Sequence, residues 1–469
     1  MRIIRKILLG VIVGLGLSTI ACCADLIDVY QQALENDPTF KQAYSIYLSS
    51  SESIPQAKSA LYPQLILNTQ GNRTSFSAVG DFSANGSALP PGAPASVIAQ
   101  TYNSLLLQVK ATQAIFNYQA WALVKEAKAT VKASQATFND AAQNLILRTA
   151  KAYFDVLLAA DTLTFAEAKK LANKRQLEQA EQRFRVGLDP ITSVYEARAS
   201  YDQSVAEVIT TNNAKINKSE DLRKLTNHEY DYLAPLRESK IPLIKPEPDN
   251  VDEWIHTSLK QNYSFYAEKY TLDAARENIK VQASGSWPTL SLVGNSTRTN
   301  NDVENTASSF FIPTEQTVNN VALVISYPLF QGGLVQSKTR QAQFDYAAAS
   351  EKLERIYRDV GVNSRIAFNS IMDGISKVKA DRQTVNSQQL ALESTEAQFQ
   401  VGTRTMVDVL NAQRRLFEVQ RELASDQYNL INAILELKYL AGTLSVQDLE
   451  EVNAWLRTTR YQGFAKLKR

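Results

Sequence analysis

Cysteine and histidine are almost missing from this chain: its 469 residues hold two of each. Cys22 and Cys23 both lie in an N-terminal stretch that reads as a removable leader. The rest then has no thiol for a disulfide, a zinc site or a nucleophile. His228 and His256 stand in unrelated contexts without ligand-like spacing and are expected at a surface or an interface. Walker A, G-x-G-x-x-G, G-x-S-x-G and H-E-x-x-H patterns are absent as well. Catalytic, cofactor-binding and metal sets are all expected to be none, because no nucleophile, base or ligand group converges.

Charge of one sign is lacking too. The formal net charge is +2, and Arg2, Arg5 and Lys6 carry more than that, so the chain beyond residue 24 is slightly acidic. No basic excess remains to recruit nucleic acid. The apolar run Ile7–Ile20 spans 14 residues, short of the roughly 20 that a helix needs to cross a bilayer. Preceded by three basic residues and followed by Ala-Cys-Cys-Ala, it reads as a secretory signal peptide over 1–24, cleaved near Cys23 or Ala24. The alternative is a lipoprotein leader with Cys22 lipidated, for which Thr19 and Ile20 make a poor recognition sequence. Both readings export the chain.

Glycine and proline are missing from residues 118–186. An unbroken helix of that length would reach roughly 100 Å at about 1.5 Å per residue, a rod that a globular domain rarely holds. The rod ends in Arg183–Ala197, RFRVGLDPITSVYEA, and this stretch has an ungapped echo in Gln398–Ala412, QFQVGTRTMVDVLNA. The pairs Phe184/Phe399, Val186/Val401, Gly187/Gly402, Val194/Val409 and Ala197/Ala412 are identical. A glycine that can adopt left-handed backbone angles ends one helix and lets another begin, so each Val-Gly step reads as the tip of a helical hairpin. Return helices are expected over 192–233 and 403–441. The second carries a heptad, Val409, Ala412, Leu416, Val419, Leu423, Asp426, Leu430, Ala433 and Leu437, whose 3.5-residue average predicts a left-handed supercoil. Asp426 interrupts that seam. The first has a comparable face in Val194, Ala197, Tyr201, Val205 and Val208.

Strands are expected at 61–76 and 104–116, then at 287–298 and 318–330. Leu65, Leu67 and Thr69 alternate with Gln64, Asn68, Gln70 and Asn72, while Leu105, Leu107, Val109 and Ala111 alternate with Gln108, Lys110 and Thr112. Leu323, Ile325 and Tyr327 share a face in the fourth. Residues 77–100, with LPPGAPA inside, and about 298–317 read as exposed loops. Helix is expected from Leu26 to Ser59, restarting at Pro38. Leu34 and Leu259, and Pro63 and Pro288, are matching positions 225 residues apart, so the chain reads as two repeats, 25–233 and 256–442. Residues 234–255 form a linker between them, and a C-terminal helix and tail occupy 443–469.

Apolar-outside, polar-inside strands fit either a sheet on a core or a membrane barrel with a wet lumen. In lipid a sheet must close on itself, and the smallest single-chain barrels use about eight strands. Four strands per chain therefore predict that copies pool them. The alternative from another class is a periplasmic coiled-coil structural or tethering protein.

The motifs VYQQAL, FRVGLDPITSV, YPLFQGGLV, VGTRTMVDVL and LAGTLSVQDL, read together from about Asp25 to Leu456, resemble the TolC family of outer-membrane efflux proteins. The resemblance implies a mainly α fold with a membrane β-barrel: a homotrimer with a 12-stranded barrel, four strands from each chain, set in outer-membrane lipid. A long α-helical coiled-coil barrel would continue it into the periplasm, with residues 213–255 and the C-terminal stretch as an equatorial band. It implies passive conduction of drugs, small toxic molecules or secreted polypeptides, with a periplasmic adaptor protein and an inner-membrane transporter as partners. Carried over by position, Arg404 and Thr192 match an inter-chain contact at the periplasmic gate, Asp408 one ring of carboxylates, and Gln176 and Glu396 a further tip pair. The chain departs from the family at Asn411 in place of a second carboxylate, Ser193 in place of an aspartate and Phe399 in place of a tyrosine. An Asp-to-Tyr hydrogen bond there cannot form, which predicts a less acidic entrance closed more by packing of Phe399 and by Arg404. Gly187, Leu188, Gly402 and Thr403 are the expected adaptor-docking tips.

Overall fold

The computed structural model describes residues 24–80, 96–237, 241, 243–303 and 313–456. The leader with Cys22, the LPPGAPA segment and the end of the tail lie outside the described residues. Along the chain run α1 (Leu26–Asn36), α2 (Pro38–Ser51), α3 (Ser53–Ser59), β1 (Gln64–Gly80), β2 (Ser96–Phe116), α4 (Tyr118–Arg185) and α5 (Ile191–Thr226). There follow α6 (Val251–Gln261), α7 (Tyr263–Ala283), β3 (Thr289–Val303), β4 (Glu315–Ser326), α8 (Leu334–Gln400), α9 (Met406–Leu440) and α10 (Val446–Asn453). The expected rods are present: α4 has 68 residues and α8 has 67.

Two compact units divide the chain. One takes residues up to Ala43, Asn139–Tyr263 and Arg358 onward; the other takes Tyr44–Phe138 and Ser264–Tyr357.

The second unit holds an antiparallel sheet in the order β1-β2-β3-β4. Leu65 opposes Ala111, Leu67 opposes Val109 and Thr69 opposes Leu107. On β3 and β4, Leu292 opposes Leu323 and Leu290 opposes Ile325. The alternating apolar residues thus share one face, where Leu65 is 74% exposed and Val321 76% exposed. Asn68 donates to Gln108 and Gln108 to Thr297 on the other face. Among the described residues no strand pairs with the outer edge of β1 or of β4. Aromatic residues gather where strands meet helices: Tyr118 stacks on Trp287 at 4.7 Å, and Phe116 meets Trp121 edge-on at 5.3 Å. Such rings, amphipathic or apolar, suit a lipid–water boundary.

The strands are longer at their far ends than alternation indicated. Positions 77–80 pair with 96–99, and β3 runs on to Val303 while β4 begins at Glu315, so these parts of the expected loops are strand. The added residues do not alternate apolar with polar; backbone ladders form without regard to side-chain polarity, and so leave no periodic signal. At the near ends the strands are shorter. Leu61–Pro63 and Trp287–Pro288 precede pairing, and Tyr327–Phe330 fall after β4, because Pro63, Pro288 and Pro328 cannot donate to the ladder. The return helix α5 also stops early, at Thr226 rather than 233, where Asn227 takes the left-handed conformation with φ 53°.

The larger of two apolar clusters in the first unit gathers most of its helices. Leu26, Val29 and Ala33 of α1 enter it with Tyr153 and Phe154 of α4, Leu222 of α5, Ile371 of α8, Leu430, Ile431 and Leu435 of α9, and Leu449 of α10. A fully buried side chain of this size contributes roughly 1.5–3 kcal/mol. The repeat recurs in detail here. Asp37, ahead of α2, is buried and ion-paired to Arg148 at 2.7 Å. Asn262, 225 positions on ahead of α7, is buried and donates to Leu440 O at 3.0 Å. The α9 heptad faces inward as expected, with Val409, Leu416, Leu430 and Leu437 buried.

No described helix is long and apolar enough to cross a membrane.

Candidate functional site

Both Val-Gly steps fold as the hairpin tips that the echo predicts. In the first, Gly187 has φ 76°, its N–H donates to Phe184 O at 2.9 Å, and Leu188 N–H donates to Arg183 O at 2.9 Å. In the second, Gly402 has φ 81°, with Gly402 N–H to Phe399 O at 3.0 Å and Thr403 N–H to Gln398 O at 3.0 Å. This is the Schellman arrangement, which satisfies the last carbonyls of a helix through one left-handed residue. Nothing lies within 4 Å of where a Cβ on either glycine would sit, and Val186, Leu188 and Val401 beside them are exposed.

Beneath the turns sits a small second core of Ala180, Val194, Ala197, Phe399, Met406 and Val409, joined by Leu177 and Leu410. It packs α4 and α5 of the first hairpin against α8 and α9 of the second. Phe399 is 5% exposed, whereas its aligned partner Phe184 is 41% exposed.

The helix starts beyond the two turns differ. Pro190 precedes α5 and offers no side-chain cap. Thr405 precedes α9 and forms a capping box: its hydroxyl accepts from Asp408 N–H at 3.3 Å, while Asp408 Oδ2 accepts from Thr405 N–H at 3.0 Å and from its hydroxyl at 2.8 Å. The backbone and hydroxyl donors of Thr405, with a smaller effect from Arg404, hold the Asp408 carboxyl below the usual carboxylate range. The charge of Asp408 is therefore secured by a bond local to its own helix.

Arg404 lies with Asp408, Nη1 to Oδ1 at 3.9 Å, and donates from Nε to Gln398 Oε1 at 3.1 Å. Its expected contact with Thr192, which is exposed on α5, is one between chains. Ser193 on the first turn of α5 and Asn411 on the second turn of α9 are half-buried. Gln176 Oε1 is buried without a hydrogen-bond partner, and Glu396 is half-buried with its carboxyl pushed up by burial and then by Glu393. Thr403 Oγ1 donates to Gln398 O at 3.0 Å, tightening the second turn.

Several residues at the tips escaped the sequence reading. Arg183 grips Asp189 through two bonds, 2.8 Å from Nε to Oδ2 and 3.2 Å from Nη2 to Oδ1, and its guanidinium lies 4.8 Å over the Phe399 ring. Gln398, Met406 and buried Gln413 also belong to the tip. The ungapped echo already puts Arg183 and Asp189 opposite Gln398 and Arg404, six residues apart in both copies. That was the available signal, obscured because the arginine sits at opposite ends of the two pairs. Among the described residues no group of His, Cys, Asp and Glu is placed to hold a metal.

Residues 29–228 and 254–443 match the family described as outer membrane efflux protein, once for each half of the chain. The chain is 35% identical over 458 residues to the outer membrane protein TolC of Vibrio cholerae, covering 97% of this chain and 100% of that one. It is 25% identical over 436 residues to the alkaline protease secretion protein AprF of Pseudomonas aeruginosa, covering 92% and 86%. Among solved structures it superposes on the Campylobacter jejuni CmeC outer membrane channel with a TM-score of 0.74 at 17% identity, covering 92% of this chain and 90% of that one. The doubled hairpin, the four amphipathic strands and these near full-length matches together establish that the chain belongs to the outer membrane efflux protein family.

Proposed function

We infer that the protein is an outer-membrane channel-tunnel that passively conducts drugs, small toxic molecules or secreted polypeptides out of the periplasm, gated at its helical tips. The observation that carries this reading is the open sheet: four strands, an exposed apolar face and two outer edges without a strand partner among the described residues. In lipid such edges have to be paired. A homotrimer would close them into one barrel, with the two repeats, 25–233 and 256–442, distributed around a common axis. Residues 213–255 and the C-terminal stretch would form the equatorial band.

At the entrance, three copies of Asp408 would face the axis. Like charges held close repel one another and concentrate cations. The Thr405 bonds keep each carboxylate ionised, so this ring stays charged across the physiological range. Arg404, whose hold on Gln398 is a single exposed bond, is available to reach Thr192 of a neighbouring copy. Asn411, Ser193, Gln176 and Glu396 line the same tips, and Phe399 contributes packing. The exposed turns at Gly187, Leu188, Gly402 and Thr403 suit a periplasmic adaptor, which couples the channel to an inner-membrane transporter. The chain supplies the path and no catalytic chemistry.

The test is conductance. Full-length protein reconstituted in planar bilayers is expected to form one ion-conducting channel per oligomer. Asp408→Ala should raise single-channel conductance and weaken block by divalent cations. Thr405→Ala, which removes the cap but leaves the charge, should preserve the block. A monomer in detergent that carries no current would overturn the reading, and an unchanged Asp408→Ala channel would remove that residue from the gate.

A further inference from the structure

Across each hairpin turn two side chains, six residues apart, reach back over the Val-Gly step and join. The two braces are not equivalent. In the second hairpin, Arg404 makes one bond to the neutral amide of Gln398, and both side chains are exposed. In the first, Arg183 and Asp189 make a bidentate ion pair whose side chains are 23% and 12% exposed. A planar guanidinium matched to a carboxylate by two parallel bonds is the stronger and more directional of these arrangements. Partial burial also shields it from salt.

What the first brace holds is unusual. With its fork occupied by Asp189, the guanidinium of Arg183 lies over the ring of Phe399, 4.8 Å from the centroid. Phe399 belongs to α8, so this contact joins the turn of one hairpin to the other hairpin of the same chain. A cation over an aromatic face gains more when water is excluded, and Phe399 is buried in the tip core. Phe399 has no hydroxyl and Ser193 has no charge, so beyond the apolar packing of the tip core the contact that ties the hairpins at this level is that of cation and ring.

We infer that Arg183, oriented by Asp189, is a positioning residue that fastens the second hairpin tip to the first within one subunit, and that this contact must yield for the entrance to widen. The inference rests on the reading of the tips as the channel entrance. It assigns the intra-subunit restraint to the first hairpin's brace and leaves Arg404 free for contacts between subunits.

Single-channel recording of the full chain in planar bilayers tests it. Arg183→Gln and Asp189→Asn are each expected to raise conductance at least two-fold. The double variant should conduct no better than Arg183→Gln alone, because Asp189 acts through Arg183. Arg183→Lys, which keeps the cation but loses the fork, should fall between. Phe399→Leu, which preserves apolar burial, should also raise conductance, and adding Arg183→Gln to it should change nothing further. A purely structural role for Arg183 would not make its effect vanish when the ring is absent. Native conductance in Arg183→Gln overturns the inference. An Arg404→Ala arm separates the two levels: if it raises conductance while Arg183→Gln does not, the entrance reading stands and the clamp falls; if neither changes, both fall. Should Arg183→Gln fail to assemble, Phe399→Leu decides by the same threshold.

Discussion

Gly442 ends α9 in the same way as the two tip glycines end their helices, yet its replacement should be far more costly. Its φ is 71°, with Gly442 N–H bonded to Tyr439 O at 2.9 Å and Thr443 N–H to Lys438 O at 2.9 Å. A Cβ there would stand 2.2 Å from Gln261 O, 2.5 Å from Gln261 C and 2.9 Å from Asn262 N. These are backbone atoms at the α6–α7 junction, so no side chain can rotate away. The backbone would have to separate by about 1 Å to restore ordinary contact. That movement strains two sets of buried or part-buried bonds: Asn262 Nδ2 to Leu440 O at 3.0 Å, and Gln143 Nε2 to the carbonyls of Gly442 and Leu444 at 2.9 Å each. Each net hydrogen bond is worth about 1 kcal/mol, and a left-handed alanine costs about 1 kcal/mol by itself. Gly442→Ala should therefore destabilise the protein by about 3–5 kcal/mol. Gly187→Ala and Gly402→Ala, with open space around them, should cost only the left-handed term, about 1 kcal/mol. Urea unfolding of the detergent-solubilised protein, followed by circular dichroism at fixed protein concentration, compares the three. If Gly442→Ala unfolds at the same midpoint as Gly402→Ala, the close approach of the end of α9 to the α6–α7 junction is not what this glycine serves.

The seam residue Asp426 has a consequence for pH. Burial, then a hydrogen bond with Asp426 and its charge, with a further push from Glu422 against the pull of Lys377, raises the Asp381 carboxyl to about 6. Lys377 bridges Glu422 at 3.3 Å and Asp426 at 3.0 Å. Because the folded carboxyl holds its proton up to a higher pH than the unfolded one, the native state binds the extra proton between about pH 4 and 6. Its stabilisation is greatest below that window and is lost as pH rises through it. Melting temperature should thus fall from pH 5 to pH 7, and Asp381→Asn should flatten that slope; an unaltered slope would dissociate the pair from stability. At the tip, Gly402→Trp has room for its ring and should leave assembly intact while abolishing export, scored by drug susceptibility alongside gel migration of unheated oligomer. Normal export would exclude the second turn from adaptor docking.

Much of the architecture was legible because it rests on local periodicity. The missing Gly and Pro over 118–186 led to α4, and Pro38 marked the start of α2. Alternation in 65–69 and 105–111 correctly paired their faces. Strand ends were not legible, since the ladder that pairs 77–80 with 96–99 is made by backbone groups, which impose no period on the sequence. Nor was the fate of the seam's polar neighbours: Gln413 and Gln427, which stand beside the heptad positions, are each 4% exposed. Residues flanking a seam are buried or wet according to what packs beside the hairpin, and that partner lies far away in the chain.

Phe184 and Phe399 show where the division falls. The sequence by itself determined that two equal hairpins exist and where each one turns, because helix continuity, a left-handed glycine and a 3.5-residue repeat depend on near neighbours. It makes the two phenylalanines equivalent. Only the tertiary structure decided that one faces water while the other is buried beneath Arg183, and that Gly442 meets a second helix junction while Gly402 meets open space. Matching local segments acquire different roles when the two copies occupy different sides of one packed pair, since burial is set by the partner surface and not by the segment that carries the side chain.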